Sequence, residues 1–281
     1  MNSKSLILNK TTKETFLQKL LGQNYKWWFI IRYHLISETG GRIGFIFGYI
    51  SSIARIISSN YVWFLAGSGM EVFTYLLVGR IYSQISNNLY YYQLSYLIHT
   101  GNLTGKLMFS TDFFWTQYLS AIGKRLFKNL IQLGGTFIGI TICLLTFAKI
   151  SSPSVTLFWV ILLIPISFTL NHLFGIIFGS LAFWTKQWDY EGIKESYEIS
   201  FMLLIGSIIP LDKLPFEISK YLAFLPTSWL LHHPMQIYLG KYNTFQTSLV
   251  FLGGIFWCVL LYFLAKLVFK MGLKRNESVG L

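Results

Sequence analysis

The stretch IPLDKLPFEISKYLAFLPTSWLLHHP, which runs from Ile209 to Pro234, decides how the fold of this chain is interpreted. It is largely apolar, yet it also contains Pro210, Pro215 and Pro226. Proline removes a backbone hydrogen-bond donor and breaks the interior of a helix. A membrane-spanning helix needs an unbroken ladder of backbone hydrogen bonds, because lipid cannot satisfy free polar groups. The stretch is therefore too broken to cross a membrane as one helix.

The composition of the whole chain is typical of a membrane protein. Of its 281 residues, 53% are hydrophobic and only 12% are charged, and the mean hydropathy is +0.52. A soluble protein cannot bury so much apolar surface. The apolar runs approach the roughly 20 residues that span a bilayer as a helix, and they lack the period-two alternation of a membrane barrel. We therefore predict an all-α integral membrane protein.

Six apolar runs are predicted to span the membrane, and an amphipathic helix over residues 11–38 is predicted to lie in the interface before them. That helix combines an apolar stripe with basic residues and a pair of tryptophans, which is typical of helices that lie on a membrane. The whole chain, residues 1–281, is interpreted as one transmembrane domain. The predicted spans cover residues 43–66, 70–85, 126–147, 155–184, 197–209 and 248–269.

The basic residues predict the orientation of these spans. The net charge is +12, and 15 of the 23 Lys and Arg residues fall in segments that are cytoplasmic if both termini lie inside. Only four fall in the segments that would lie outside. Cytoplasmic loops carry such an excess. We therefore expect a multi-pass protein of the cell membrane with both termini in the cytoplasm, in contact with anionic lipid and not with nucleic acid.

The opening stretch then falls on the outer side, between the fifth and sixth spans. It is too apolar for a free loop, so residues 210–238 are predicted to form a re-entrant hairpin of two short helices. Pro226 would be the hinge, and Thr227 or Ser228 would cap the second helix. We expect the four prolines to mark an outer gate at Pro210, Pro215, Pro226 and Pro234.

Two further patterns carry a resemblance to a known family. One follows the second span, in the stretch ISNNLYYYQLSYLIHTGNLTGKLMFSTDFFWTQYLS, and the other closes the proline-rich stretch as PMQIYLG. With the order of the predicted elements and the basic ending MGLKRNESVGL, the chain resembles the permease subunits of type-2 ABC exporters, and in particular bacterial half-size permeases with a separate ATPase. The positions that match are Ile98, Gly101, Leu103 and Leu107 in the first pattern and Pro234, Ile237, Leu239 and Gly240 in the second.

The resemblance implies how the chain would work. It implies a transporter subunit and not an enzyme, with no cofactor of its own, while ATP is used by two copies of a partner ABC ATPase. A second permease, identical or homologous, would complete the pathway. Residues 86–125 would be the cytoplasmic coupling loop that contacts the ATPase, centred on Gly101, Asn102, Leu103 and Thr104. The same GNLTGKL stretch lacks the spacing and the hydroxyl residue of a phosphate-binding loop.

A few polar residues in or beside the spans are candidates for the substrate pathway. Glu195 and Glu198 lie on one helix face at the inner mouth of the fifth span, and His172 lies within the fourth. Charges at membrane depth usually face water or a partner. The alternatives are a solvated helix start for the two glutamates and a packing role for the histidine. A metal site at His232 and His233 is not expected, because no acidic or cysteine partner stands at ligand spacing.

Two other classes of protein remain as alternatives, a secondary transporter and an intramembrane enzyme. A secondary transporter typically shows inverted repeats with paired broken helices, whereas only one broken segment is visible in this sequence. An enzyme needs a set of convergent polar residues, and the spans contain few.

Overall fold

The structure is a computed structural model, and every element of regular structure in the part of the chain that it describes is helical. This result confirms the all-α prediction. The described residues are 69–86, 90–108, 112–124, 154–185, 200–214 and 218–278, with isolated positions between 46 and 61 and at 138.

Eight helices are numbered here in chain order, and three short 3-10 turns connect them. A further helical run, residues 200–204, ends before the proline-rich stretch. The helices are α1 (Met70–Ser86), α2 (Tyr90–His99), α3 (Leu103–Leu107), α4 (residues 113–124), α5 (Ser154–Ser180), α6 (Ile218–Ala223), α7 (His232–Tyr238) and α8 (Thr244–Ser278), and the 3-10 turns are Leu181–Phe183, Leu211–Lys213 and Pro226–Leu230.

Two stretches in the described part of the chain are long and apolar enough to cross a membrane, Thr156–Phe183 and Thr244–Arg275. They coincide with the predicted fourth and sixth spans. Helix α1, with 17 residues, follows the predicted second span closely. The amphipathic helix over 11–38 and the predicted third span fall outside the described residues, apart from position 138, and only isolated positions of the first span are described.

Helix α8 extends beyond the predicted span of 248–269 at both ends, and a capping box fixes its start. The Asn243 side chain accepts a hydrogen bond from the Gln246 backbone N–H at 2.8 Å, and the Gln246 side chain accepts one from the Asn243 N–H at 3.0 Å. This reciprocal pair satisfies two backbone donors that a helix start leaves free. The helix therefore begins at Thr244 and continues for 35 residues.

Helix α5 is the central helix of the described bundle. Half of the residues in its most apolar 18-residue stretch are buried inside the protein, whereas only 22% of the corresponding stretch of α8 is buried. Helix α5 also packs against α1, α2, α7 and α8. Leu163 and Leu170 of α5 are inaccessible to solvent, as is Leu94 of α2. Helix α2 therefore extends along α5 and belongs to the same core as the long helices.

Helices α1, α5 and α8 run in the same direction. All three begin at one end of the bundle, called the Lys241 end, where Glu71 of α1 pairs with Lys241 and Thr156 of α5 donates a hydrogen bond to the Tyr238 carbonyl. At the other end, a Cβ on Gly272 of α8 would collide with Phe183, so these two residues are in close contact. Because these three helices are parallel, the chain must return between α1 and α5 and again between α5 and α8.

The helical run 200–204 returns toward the Lys241 end, and it stops five residues before the predicted end of the fifth span at 209. Its stop is a glycine-terminated cap: the Gly206 N–H bonds to the Leu203 carbonyl and the Ser207 N–H to the Met202 carbonyl. Gly206 has φ +78°, in the left-handed region that favours glycine. The sequence GSIIP, which follows the run, therefore lies outside the helix.

Candidate functional site

Residues 210–238, called the hairpin segment, contain short helices separated at the prolines. Pro226 occupies the first turn of a 3-10 turn whose N-cap is Leu225, so the expected cap by Thr227 or Ser228 is wrong. The Ser228 hydroxyl instead donates to the Leu222 carbonyl of α6 at 2.5 Å. Helix α6 thus ends at a hydrogen bond from the next turn, which begins at Pro226.

The other three prolines of the hairpin segment occupy different places. Pro210 is the extended residue before the 3-10 turn Leu211–Lys213, and it is buried. Pro234 lies in the first turn of α7, where a helix tolerates proline because the missing N–H has no partner there. Pro215 lies outside the described residues. The three described prolines therefore lie at or just before the starts of the two 3-10 turns and of α7.

Trp229 is the residue that holds the hairpin segment against the long helices. Its indole N–H donates to the Val250 carbonyl of α8 at 2.7 Å. Its ring lies over two consecutive glycines, since a Cβ at Gly253 would come within 2.6 Å of the ring and one at Gly254 within 3.0 Å. The same added Cβ at Gly254 would lie 2.8 Å from Ile166 of α5. Only a pair of glycines leaves room for the ring here.

A hydrogen-bond relay connects the Trp229 backbone to two more helices. The Ser167 hydroxyl of α5 donates to the Trp229 carbonyl at 2.6 Å. Because that donor is committed to a carbonyl, Ser167 must accept from the Tyr82 hydroxyl of α1, which lies 2.5 Å away. All three groups are buried. Trp229 therefore contacts α5 and α8 directly and is linked to α1 through Ser167, and each of these polar groups has a partner.

Two neighbouring histidines lie beside Trp229, and both are buried. His233 bridges the hairpin segment: Nε2 lies 2.8 Å from the Ala223 carbonyl and Nδ1 lies 3.0 Å from the Tyr242 hydroxyl. A carbonyl only accepts, so Nε2 carries the proton and Nδ1 of the neutral ring accepts from Tyr242. Burial lowers the pKa of His233 to about 4 and that of His232 to about 3. Both rings are therefore neutral at physiological pH.

Lys241 joins three segments of the chain at its end of the bundle. Its ammonium pairs with Glu71 of α1 and, at 2.8 Å, with Asp212 of the hairpin segment. Gly240, with φ +70°, ends α7 in a glycine-terminated cap in which the Lys241 N–H bonds to the Gln236 carbonyl. This cap directs the chain so that Lys241 reaches both carboxylates, and it accounts for the closing glycine of the PMQIYLG pattern.

The Asp212 carboxylate and the Lys241 ammonium stabilise each other's charged forms. Partial burial alone would raise the pKa of Asp212, but the hydrogen bond and charge of Lys241 outweigh it and hold the pKa below its usual range. Burial likewise lowers the pKa of Lys241, while its bonds to Asp212 and Glu71 raise it, and the net direction is upward. Asp212 and Lys241 are therefore both charged at neutral pH.

The predicted coupling residues form the bend between α2 and α3. Gly101 has φ +72° and ends α2 by donating its N–H to the Ile98 carbonyl. The Asn102 amide donates to the Thr100 hydroxyl at 2.9 Å, and that hydroxyl donates back to a carbonyl of α2. Leu103 is buried and anchors α3 in the core, whereas Thr104 is exposed. The bend is therefore a defined structure and not a featureless loop.

Helix α3 presents an exposed surface immediately after this bend. Gly105 is exposed, as is Leu107, and Met108 beyond the helix has 82% of its surface exposed. Lys106 is half-buried, and burial lowers its pKa. An apolar surface of this kind on a short helix is available to a protein partner.

Of the three candidate pathway residues, the structure describes only His172. His172 is buried in α5, and its ring lies edge-on to that of Tyr118 at 5.3 Å. It lines a cavity of about 500 Å³ between α4, α5 and α8, which the sequence did not predict. Glu195 and Glu198 lie outside the described residues. The residues that line the cavity are Phe114, Trp115, Tyr118, Thr169, His172, Leu173, Ile176, Cys258, Val259, Tyr262 and Phe263.

In the described part of the chain, no group of three or more His, Cys, Asp or Glu side chains is arranged to hold a metal ion. His233 hydrogen-bonds to Ala223 and Tyr242, and the His232 ring packs against the ring of His233.

The sequence of the chain matches the model of one protein family. The family described as ABC-2 family transporter protein matches residues 55–280, which is most of the chain. The chain belongs to this family. No curated protein sequence and no solved structure matches the chain.

Membership of the ABC-2 transporter family states what kind of molecule this is. An ABC-2 transporter protein of this type is a membrane component of an ABC transport system, and it works with an ABC ATPase subunit. The family match includes α1 to α8, so both the hairpin segment and the bend at Gly101 lie within it.

Proposed function

We propose that the chain is the membrane-spanning permease of an ATP-driven export system. It forms the substrate pathway together with a second permease, identical or homologous, and with two ATPase subunits that bind and hydrolyse the ATP. The observation that carries the proposal is the family match over residues 55–280. The task of the chain is to favour one or the other of two pathway conformations as the ATPases close and open.

The direction of the helices supports six spans with both termini in the cytoplasm of the cell. Helices α1, α5 and α8 are parallel, so the chain has to return once before α5 and once before α8. The predicted third and fifth spans are the returns. In this arrangement the Lys241 end faces outward, and the hairpin segment lies in the outer leaflet as a re-entrant structure.

The bend at Gly101 is proposed as the contact with the ATPase. Its backbone is fixed by the left-handed glycine and by two side-chain hydrogen bonds, so it can transmit a displacement. The buried Leu103 connects that displacement to the core shared by α2 and α5. Residues 86–125 would then form the cytoplasmic coupling segment of the permease.

The hairpin segment is proposed as the outer gate. Trp229 links it to α1, α5 and α8, and Lys241 links its outer edge to α1. A change in the spacing of these helices would therefore act on the segment at both places. Glu195, Glu198 and His172 remain the proposed polar residues of the pathway, and His172 lies in the cavity between α4, α5 and α8.

The experiment that tests the proposed function is purification of the tagged chain from cells that also produce an ABC ATPase encoded beside it. We expect a complex with two ATPase subunits, whose ATP hydrolysis rises in the presence of the transported compound. The isolated chain should show no nucleotide binding at micromolar ATP. Nucleotide binding by the isolated chain, or failure to recover any ATPase, would contradict the proposal.

A further inference from the structure

The cavity between α4, α5 and α8 has the form of a site for a small amphipathic molecule. Its floor is buried, with His172, Leu173 and Ile176 of α5 all below one-tenth exposed. Its rim is open, since Trp115 of α4 and Phe263 of α8 are more than half exposed. Its volume of about 500 Å³ falls within the range of pockets that enclose drug-sized ligands.

The lining formed by the described residues is apolar and aromatic, and no acidic side chain is among them. The polar groups within it are Tyr118 and Thr169, whose hydroxyls bond to each other at 2.9 Å, together with His172 and Cys258. Such a surface favours an acyl chain or a ring system and gives no counter-charge to a cation. The body of the ligand is therefore apolar.

A basic residue stands beside two of the rings that line the cavity. The Lys266 ammonium lies 4.8 Å from the centre of the Tyr262 ring and 6.0 Å from that of Phe114. Asp112 acts on the same ammonium electrostatically, while its carboxylate accepts the Trp115 N–H at 3.0 Å. A cation next to an apolar cavity matches a molecule with an apolar body and an anionic head.

The position of Lys266 along α8 gives the depth of the cavity. Lys266 lies 22 residues beyond Thr244, or about 33 Å at the rise of an α-helix, and the hydrocarbon core of a bilayer is about 30 Å thick. With the Lys241 end at the outer surface, Lys266 lies at the inner headgroups. Val259 and Tyr262 then lie among the inner acyl chains.

We propose that this cavity receives an anionic amphiphile from the inner leaflet, and that this amphiphile is the exported substrate. The proposal rests on the proposed function, because it takes the Lys241 end as the outer side. The apolar body lies against α5, and the anionic head lies at Lys266 in place of Asp112.

Binding is tested on the full chain in complex with its ATPase, in nanodiscs of phosphatidylcholine. The probe is an NBD-labelled dodecyl sulfonate, and the uncharged methyl sulfone of the same chain is the reference. Val259→Trp, on the rim, should weaken sulfonate binding at least about tenfold by filling the cavity, as loss of a large apolar contact predicts. Leu252→Trp, exposed on the same helix outside the cavity, should leave it unchanged.

The contact with the anionic head is tested by removing the charge of single side chains. Lys266→Gln should weaken sulfonate binding about fivefold, the effect of one basic residue near a membrane surface, and leave sulfone binding unchanged. Lys274→Gln, two turns further along α8, should change neither. Asp112→Asn should tighten sulfonate binding, because asparagine retains the cap of α4 without the competing charge.

Transport is tested in proteoliposomes, where dithionite outside the bilayer reports the side on which the NBD group lies. ATP should move the sulfonate across the bilayer, and Val259→Trp should abolish that movement. Binding that is indifferent to Val259→Trp overturns the site, as does efficient cross-linking between two copies of a Val259→Cys variant. Binding without ATP-driven movement overturns the substrate assignment. If another compound still stimulates the ATPase, the proposed function survives that result.

Discussion

At the scale of single residues, Trp229 makes stabilising contacts that no sequence pattern around it predicts. Trp229→Ala removes the indole hydrogen bond to Val250 and leaves a void over the two glycines of α8. We expect a loss of about 3–5 kcal/mol in the free energy of unfolding, the usual range for a buried tryptophan. The measurement is denaturation in mixed detergent micelles. Trp184→Ala, at a partly exposed position, should cost much less; equal losses would contradict the role of Trp229.

His233 makes the hairpin segment sensitive to acid. Its pKa is lowered from 6.5 to about 4 in the folded protein, so the unfolded chain takes up a proton first as the pH falls. The stability that the neutral ring contributes is fully present above pH 6.5 and is lost as the pH falls toward 4. We expect the thermal midpoint of the purified complex to fall over this interval.

His233→Gln should reduce that fall, because its amide can donate to the Ala223 carbonyl but does not titrate. Part of the fall should persist, since burial also lowers the pKa of His232. A His233→Gln variant with the full acid sensitivity of the wild type would show that the relevant titration lies elsewhere.

Lys241 has a weaker effect on stability because it is partly exposed. Lys241→Met should cost less than about 1 kcal/mol, as exposed ion pairs usually do. The more informative result is the salt dependence: the small stabilisation should decline with ionic strength in the wild type and be absent in the variant. Lys213→Met, in the neighbouring 3-10 turn, is the matched control. A loss of several kcal/mol on Lys241→Met would mean that the cluster is buried in the assembled transporter.

At the scale of elements, the bend between α2 and α3 and helix α3 itself contain two glycines at which the effect of backbone strain can be tested apart from the effect of added side-chain volume. A Cβ on Gly101 or on Gly105 would meet no atom within 4 Å, but only Gly101 has a positive φ. Gly101→Ala should therefore distort the bend and reduce ATP-driven transport per ATP hydrolysed, while the chain still inserts. Gly105→Ala should stabilise α3 slightly and leave coupling intact. Unchanged coupling in Gly101→Ala would exclude a mechanical role for the bend.

The ends of the elements were largely predictable from the sequence, and the contacts between them were not. Glycine in a left-handed conformation ends the run before Gly206 and ends α7 at Gly240, and these residues are strong local signals. Asn243 with Gln246 is another such signal, and it starts α8 before the predicted start of the sixth span at 248. Local chemistry decides all three ends, so the sequence contains a signal for each of them.

The fit of Trp229 over Gly253 and Gly254 depends on residues more than 20 positions apart. A glycine pair in an apolar run is common in membrane helices, so it does not point to one particular aromatic ring. The cavity beside His172 is hidden from the sequence for the same reason. Its walls come from three helices, and periodicity within each helix reports burial but not the shape left between them.

At the scale of the whole molecule, the topology can be tested on cysteine variants in intact cells. A cysteine at Lys220, in α6, should react with a membrane-impermeant thiol reagent, whereas one at Asn276, near the end of α8, should not. A cysteine at Leu230, which is 3% exposed, should also be protected because of burial. The background is a variant that lacks Cys143 and Cys258. Labelling of Asn276→Cys from outside would overturn the proposed orientation.

Helix α8 is one continuous helix that aromatic rings approach closely at two glycine positions. The first is the pair Gly253 and Gly254, which receives the Trp229 ring, and the second is Gly272, beside the Phe183 ring. They lie 18 residues apart, or about 27 Å along the helix axis. Because the helix is stiff, its orientation cannot change at one of these positions alone. A tilt of α8 imposed near Phe183 therefore also moves the helix at Trp229, without a relay of intermediate side chains.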